Sequence, residues 1–100
     1  MDKYEVLLSP KAYRDLEGIY QYIKSELLVP ETALKLVSLI EKQILDLELF
    51  LYRGSVREIG IYADKGYRQV FVKNYTIVYR VEEEKKQVMI ITVRYSPSNF

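Results

Sequence analysis

Two β-prone runs, Tyr67–Val72 and Tyr75–Val81, are separated only by Lys73-Asn74 in the stretch "GYRQVFVKNYTIVYRV". A two-residue connection turns the chain straight back, and asparagine tolerates the positive φ that such turns need. The runs therefore form an antiparallel hairpin. Side chains alternate across a strand, so the turn also sets the register: Val72 opposes Tyr75, and Tyr67 opposes Arg80. One face then carries Val70, Val72, Tyr75, Ile77, Tyr79 and Val81, an apolar set suited to a core. The other carries Tyr67, Gln69, Phe71, Thr76, Val78 and Arg80. Arg68 falls on the core side near its edge, where a guanidinium must reach outward or find a partner.

The N-terminal half supplies what covers the apolar face. "KYEVLLS" suits a strand over Lys3–Leu8, and Ser9-Pro10 then opens a helix, the serine as cap and the proline at the first helical position. Tyr13, Leu16, Tyr20, Ile23 and Leu27 recur at three- and four-residue steps, an amphipathic stripe. Pro30 ends this helix near Leu27 or Leu28 and begins another, with Glu31 in its first turn. Ala33, Leu36, Val37, Ile40, Ile44, Leu47 and Leu51 form the second stripe, widened by Leu34, Leu39, Leu45 and Phe50. That width implies burial against more than one neighbour.

Helices joined this closely pair as an antiparallel hairpin. Residues 52–66 read as a loop, with a brief extended piece at Glu58–Tyr62. A third strand of the sheet, Val88–Tyr95, follows "EEEKKQ", a solvated hairpin loop. Asp15, Glu17 and Asp46 read as solvent-facing helix charges. The expected order is βααβββ, an α+β fold with an N-terminal helical hairpin packed on an antiparallel sheet, in one domain over residues 1–100.

With 49% apolar and 29% charged residues, the chain has the composition of a folded globular domain. It contains neither Cys nor His, which removes thiol nucleophiles, disulfides, zinc sites built on those ligands and imidazole catalysis. No metal or cofactor is expected. No segment reaches the roughly 20 apolar residues that span a bilayer, and the N-terminus lacks a secretory signal, so a cytoplasmic protein with no membrane partner is expected. Charge is uneven. Residues 1–60 carry eight Lys/Arg against ten Asp/Glu, net −2, and residues 61–100 carry seven against four, net +3. The basic half permits an anionic ligand or an acidic partner.

The arginines and tyrosines of the C-terminal sheet admit two readings. Guanidinium forks match phosphates and aromatic rings stack on bases, so Tyr67, Arg68, Lys73 and Arg80 are candidates for nucleic-acid binding. Alternatively, the arginines lie on a solvated face and pair with Glu82–Glu84. The residues alone leave both open.

The order strand, "SPKAYRDLEGIYQYI", "PETALKLV" and then "GYRQVFVKNYTIVYRVEEEKKQVMIITV" resembles the RelE/ParE superfamily of toxins from type II toxin–antitoxin modules. The resemblance covers nearly the whole chain and implies a small toxin that arrests bacterial growth and is neutralised by a cognate antitoxin, as a hetero-oligomer. It implies either of two targets: RelE-like members cleave mRNA on the ribosome, and ParE-like members poison DNA gyrase. The RelE-like reading, an endoribonuclease needing no metal, is slightly favoured, with Arg68, Arg80, Arg94 and Tyr95 as catalytic residues around a strained phosphate. A binding module with weakened catalysis is a third reading. The chain has Val70 and Thr76 where the resemblance implies basic residues, and "RYSPSNF" where it implies a basic tail.

Overall fold

The structure, a computed structural model, describes residues 4–26, 30–50, 52, 54–56 and 66–96. Ser9 starts the first helix as its sequence suggests. Its hydroxyl accepts a hydrogen bond from the Ala12 amide at 3.0 Å, the bond expected of a serine cap, and its own carbonyl accepts one from Tyr13 at 3.0 Å. Helix α1 (Pro10–Glu26) turns Ala12, Leu16 and Ile23 inward, and α2 (Pro30–Asp46) turns in Ala33, Ile40 and Ile44. Helix α2 stops at Asp46 and a turn follows over residues 47–49, placing Leu47 in the core. Leu34, Leu45 and Phe50, expected to widen the buried stripe, are instead more than half exposed. These three lie on surface, along α2 and just after it, that neither α1 nor the sheet covers.

Five strands form one sheet in the order β1-β5-β4-β3-β2: β1 (Glu5–Leu8), β2 (Ser55–Val56), β3 (Arg68–Val72), β4 (Tyr75–Glu82) and β5 (Gln87–Tyr95). The expected register of the β3–β4 hairpin holds, with Val72 opposite Tyr75 and Arg68 opposite Tyr79. Within its turn, the positive φ falls on Lys73 (56°), not on Asn74. The expected antiparallel sheet is in fact mixed, because β1 pairs with β5 in parallel, Glu5 beside Gln87 and Leu8 beside Ile90. Parallel neighbours need a crossover instead of a tight turn, and the helical hairpin supplies it. The short β2, opposite Arg68 and Gln69, is an addition to the expected order. The extended piece expected at residues 58–62 lies outside the described residues. "EEEKKQ" contains a 3₁₀ turn over Glu83–Lys85, closed by Lys86 in the left-handed region.

The core lies between this sheet and the helices. Val70, Val72, Ile77 and Tyr79 meet Ala12, Leu16, Ile40 and Ile44 in one buried cluster, the face that alternation assigned to the core. On the opposite face Thr76 and Val78 are also fully buried, so that face is not simply a wet one.

Asp15 corrects the sequence reading most directly. Between Ile90 and Thr92 the β5 strand carries an extra residue, Ile91, where the β4–β5 register shifts at Val78/Tyr79. Strand β1 ends beside Ile90, so among the described residues the rest of β5 has no strand on that edge. Helix α1 serves it instead. The Ser9 hydroxyl donates to the Ile91 carbonyl at 2.7 Å, and the Asp15 carboxylate accepts the Val93 amide at 3.2 Å and the Thr92 hydroxyl. Lys11 adds an ion pair to Asp15 at 3.2 Å. Asp15 is therefore a sheet-edge ligand and not a solvated helix charge.

Replacing Asp15 by alanine strands the Val93 amide and leaves the Thr92 hydroxyl only the Lys11 ammonium, which donates to it at 3.1 Å, a loss expected to cost about 2 kcal/mol. Urea unfolding checks this against Lys42→Ala on the outer face of α2, which is expected within about 0.5 kcal/mol of the parent.

Candidate functional site

The sequence left a phosphate site and a solvated face both open, and alternation set Arg68 and Arg80 on different faces. The structure places the candidate residues over those two faces and at two ends of the sheet. Arg68 and Tyr95 have odd places on the helix-facing side, the first at one end of β3 and the second at the far end of β5, where it pairs with Tyr75. Arg80 and Arg94 lie on the opposite face, partnered across the ladder by Met89 and Thr76 respectively. Thr76 and Arg80 are four residues apart on β4, so Arg94 and Arg80 are separated by about 13 Å of strand. The sequence reading let Arg94 and Tyr95 close the region around Arg68 and Arg80. The antiparallel β4–β5 register carries them to the other end, beside the Lys73-Asn74 turn, where the Ser96 amide donates to the Asn74 carbonyl at 2.6 Å.

Arg68 is engaged by its own chain. Its guanidinium donates to the Gly54 carbonyl at 2.6 Å and reaches the Tyr52 carbonyl at 3.5 Å. It also lies over the Tyr52 ring, 5.0 Å from the centroid, an arrangement in which the ring face attracts the cation. The Tyr52 hydroxyl in turn donates to Glu83. At the other backbone group of the same residue, the Gly54 amide donates to the Tyr79 hydroxyl at 3.0 Å. Tyr79 is the largest fully buried side chain, and its phenol is the polar atom of an otherwise apolar core row. A buried hydroxyl needs a partner, and a backbone amide brought within reach provides it.

Gly54 makes that approach possible. A Cβ at this position would stand 2.5 Å from the Gln69 carbonyl and 2.7 Å from the Tyr79 hydroxyl, distances that admit no side chain. The glycine in "YRGS" and the tyrosine in an apolar strand face were the sequence signals for this clamp. What could not be read was that the two meet, because that contact joins positions 25 residues apart.

Arg80 sits over the Tyr67 ring, 5.6 Å from its centroid, with the Tyr67 hydroxyl at 3.4 Å. It also forms an ion pair with Glu82 at 3.1 Å. The tyrosine-beside-arginine placement follows the expected register, and the pairing with Glu82 is the one the solvated-face reading named. Lys73 is exposed at the hairpin turn, and Arg94 is exposed near it. The altered tail beyond Ser96 lies outside the described residues.

A second cluster went unread in the sequence. Tyr75 and Tyr95 meet edge to face with ring centroids 5.4 Å apart. Burial, followed by the neighbouring phenols of Tyr95 and Tyr22, pushes the Tyr75 hydroxyl above the ordinary tyrosine range, so it is neutral at physiological pH.

Comparison with known proteins follows the same lines. Residues 6–99 match the family described as the ParE toxin of the type II toxin–antitoxin system parDE. Similar solved structures include the chromosomal ParDE toxin–antitoxin system of P. aeruginosa, 25% identical, with TM-score 0.77 over 94% of this chain and 97% of that one. The RelBE2 toxin–antitoxin complex of Mycobacterium tuberculosis is 21% identical, with TM-score 0.68 over 94% and 99%. The YoeB/ParE toxin of Agrobacterium tumefaciens is 17% identical, with TM-score 0.63 over 91% and 96%. The last two likenesses are likenesses of fold. No curated protein matches the sequence.

The clamp carries a stability prediction. Tyr79→Phe leaves the Gly54 amide without its acceptor and is expected to cost about 1–2 kcal/mol. Gly54→Ala is expected to cost more, about 2–3 kcal/mol, because backbone must move to admit the methyl group. Thermal unfolding of both variants gives the order.

Proposed function

The chain belongs to the family of ParE toxins of type II toxin–antitoxin systems, and on that premise we propose that it arrests growth by binding and poisoning DNA gyrase. The observation that carries this reading is the engagement of Arg68. Cleaving RNA without a metal requires cations preorganised around one phosphate, with their donors available to it. Arg68, one of the four residues to which the resemblance gave a catalytic role, spends its shortest contact on the Gly54 carbonyl. Arg80 on β4 and Arg94 on β5 stand about 13 Å apart along the sheet, and Arg80 is tied to Glu82. Such a surface suits recognition of a large partner better than chemistry at one point.

A second reading retains mRNA cleavage on the ribosome. Arg80 and Arg94 share the face away from the helices, and Tyr67 beside Arg80 offers a ring on which a base can stack. Under this reading Arg80 replaces Arg68 as the leading cation, and Lys73 and Tyr95 belong to the surrounding surface.

In either case the toxin is neutralised by a cognate antitoxin. Tyr13, Leu34, Leu45, Leu49 and Phe50 leave half or more of their surface exposed on or just after the helices. Exposed apolar side chains along the helices suit a protein partner, and we assign them to the antitoxin. Among the described residues no helix is long and apolar enough to cross a membrane.

Purified toxin incubated with gyrase, ATP and supercoiled plasmid is expected to yield linear DNA after detergent and protease treatment. In a cell-free translation reaction it is expected to leave a defined mRNA uncut by primer extension. Cuts within ribosome-bound codons that disappear in Arg80→Ala, with plasmid left intact, would replace the gyrase reading by the second one.

A further inference from the structure

A groove of about 550 Å³ opens between β1, α1 and α2. Each helix contributes a stripe to it at helical spacing: Tyr13, Glu17 and Tyr20 from α1, and Val37, Glu41 and Ile44 from α2. The remaining described walls are apolar, so among the described residues Glu17 and Glu41 are its only charged lining, and each stands at the middle of its stripe. Neither carboxylate has a hydrogen-bond or ion-pair partner among the described residues. Tyr13 and Leu45, on the groove's rim, are 64% and 60% exposed, so the apolar surface continues outward from it.

We propose that Glu17 and Glu41 are specificity-determining residues for the antitoxin, selecting a segment that presents an arginine or lysine amid apolar side chains. This rests on the reading of the chain as an antitoxin-bound toxin and adds the chemistry of the partner at one groove. An unpaired carboxylate in an apolar setting favours a partner that brings the opposite charge, and guanidinium matches carboxylate in a two-pronged geometry. The same pair rejects others. A nucleic acid would bring phosphates to two carboxylates. A second copy docked groove to groove by two-fold symmetry would set glutamates against glutamates, a repulsion that disfavours self-association there. The apolar walls supply affinity, and the two charges decide which segment fits.

The test uses the full-length toxin and the antitoxin encoded beside it, with the Kd measured by titration at two salt concentrations. Glu17→Gln/Glu41→Gln keeps shape and removes charge, and both sites lie on exposed helix surface, so the fold is retained and circular dichroism verifies it. The double variant is expected to bind roughly tenfold or more weakly, with a flatter salt dependence, and to remain toxic in cells that express the antitoxin. Glu17→Lys/Glu41→Lys is expected to lose more, and to be rescued by an antitoxin in which one Arg or Lys is changed to Glu. Equal affinity for the parent and the double glutamine variant would overturn the proposal while leaving the toxin–antitoxin reading intact. Failure of the parent toxin to bind that antitoxin would overturn both. Groove-dependent self-association, seen as a dimer in the parent and lost in Leu45→Glu, would also overturn it.

Discussion

The hydroxyl of Tyr79 is the constraint around which the sheet and the segment leading into it are arranged. The two-residue turn at Lys73-Asn74 sets the β3–β4 register, and that register puts Tyr79 on the core face opposite Arg68. Burying a phenol there requires a partner for its oxygen. The partner is the Gly54 amide, which can come close only because position 54 has no side chain. Once the amide is fixed, the carbonyl of the same residue stands beside Arg68, which donates to it. Register, buried hydroxyl, glycine and arginine form one chain of dependence, and it ends on the residue that a motif-based reading makes catalytic.

The other half of the sheet is held by a different device. One extra residue in β5 leaves strand-edge groups that β1 is too short to meet, and the first turns of α1 meet them through Ser9 and Asp15. Side chains from a helix thus complete a strand ladder. This explains why α1 lies where it does over β5, and why its N-terminus carries polar residues that point toward the sheet. The core contributes the larger share of cohesion, and these contacts fix its alignment.

Much of the fold was legible in the sequence because its signals are local. Ser9-Pro10, Pro30 and Lys73-Asn74 mark boundaries by backbone chemistry, and period-2 alternation sorted β4 into faces correctly. The parallel β1–β5 pairing, the bulge at Ile91 and the role of Asp15 were not legible, since each joins positions far apart in the chain and leaves no periodic trace. The candidate site was legible in its residue types and in the split of Arg68 and Arg80 between the two faces, but not in the place of Arg94 and Tyr95, which the β4–β5 register carries to the far end. Arg68 and Arg80 are adjacent in motif terms, yet alternation and ladder direction put them on different faces, each with its own tyrosine: Tyr52 for Arg68 and Tyr67 for Arg80.

An arginine that anchors a glycine carbonyl acts through the fold, and one that grips a phosphate acts through its charge at the target. The most direct measurement is the unfolding free energy of Arg68→Ala set beside its toxicity in cells. The account predicts that stability falls by about 1–2 kcal/mol, the worth of a charge-assisted hydrogen bond at a partly exposed site, and that toxicity declines only as far as the folded fraction does. An Arg68→Ala protein as stable as the parent but without toxicity would contradict it, and would return Arg68 to the target-facing surface.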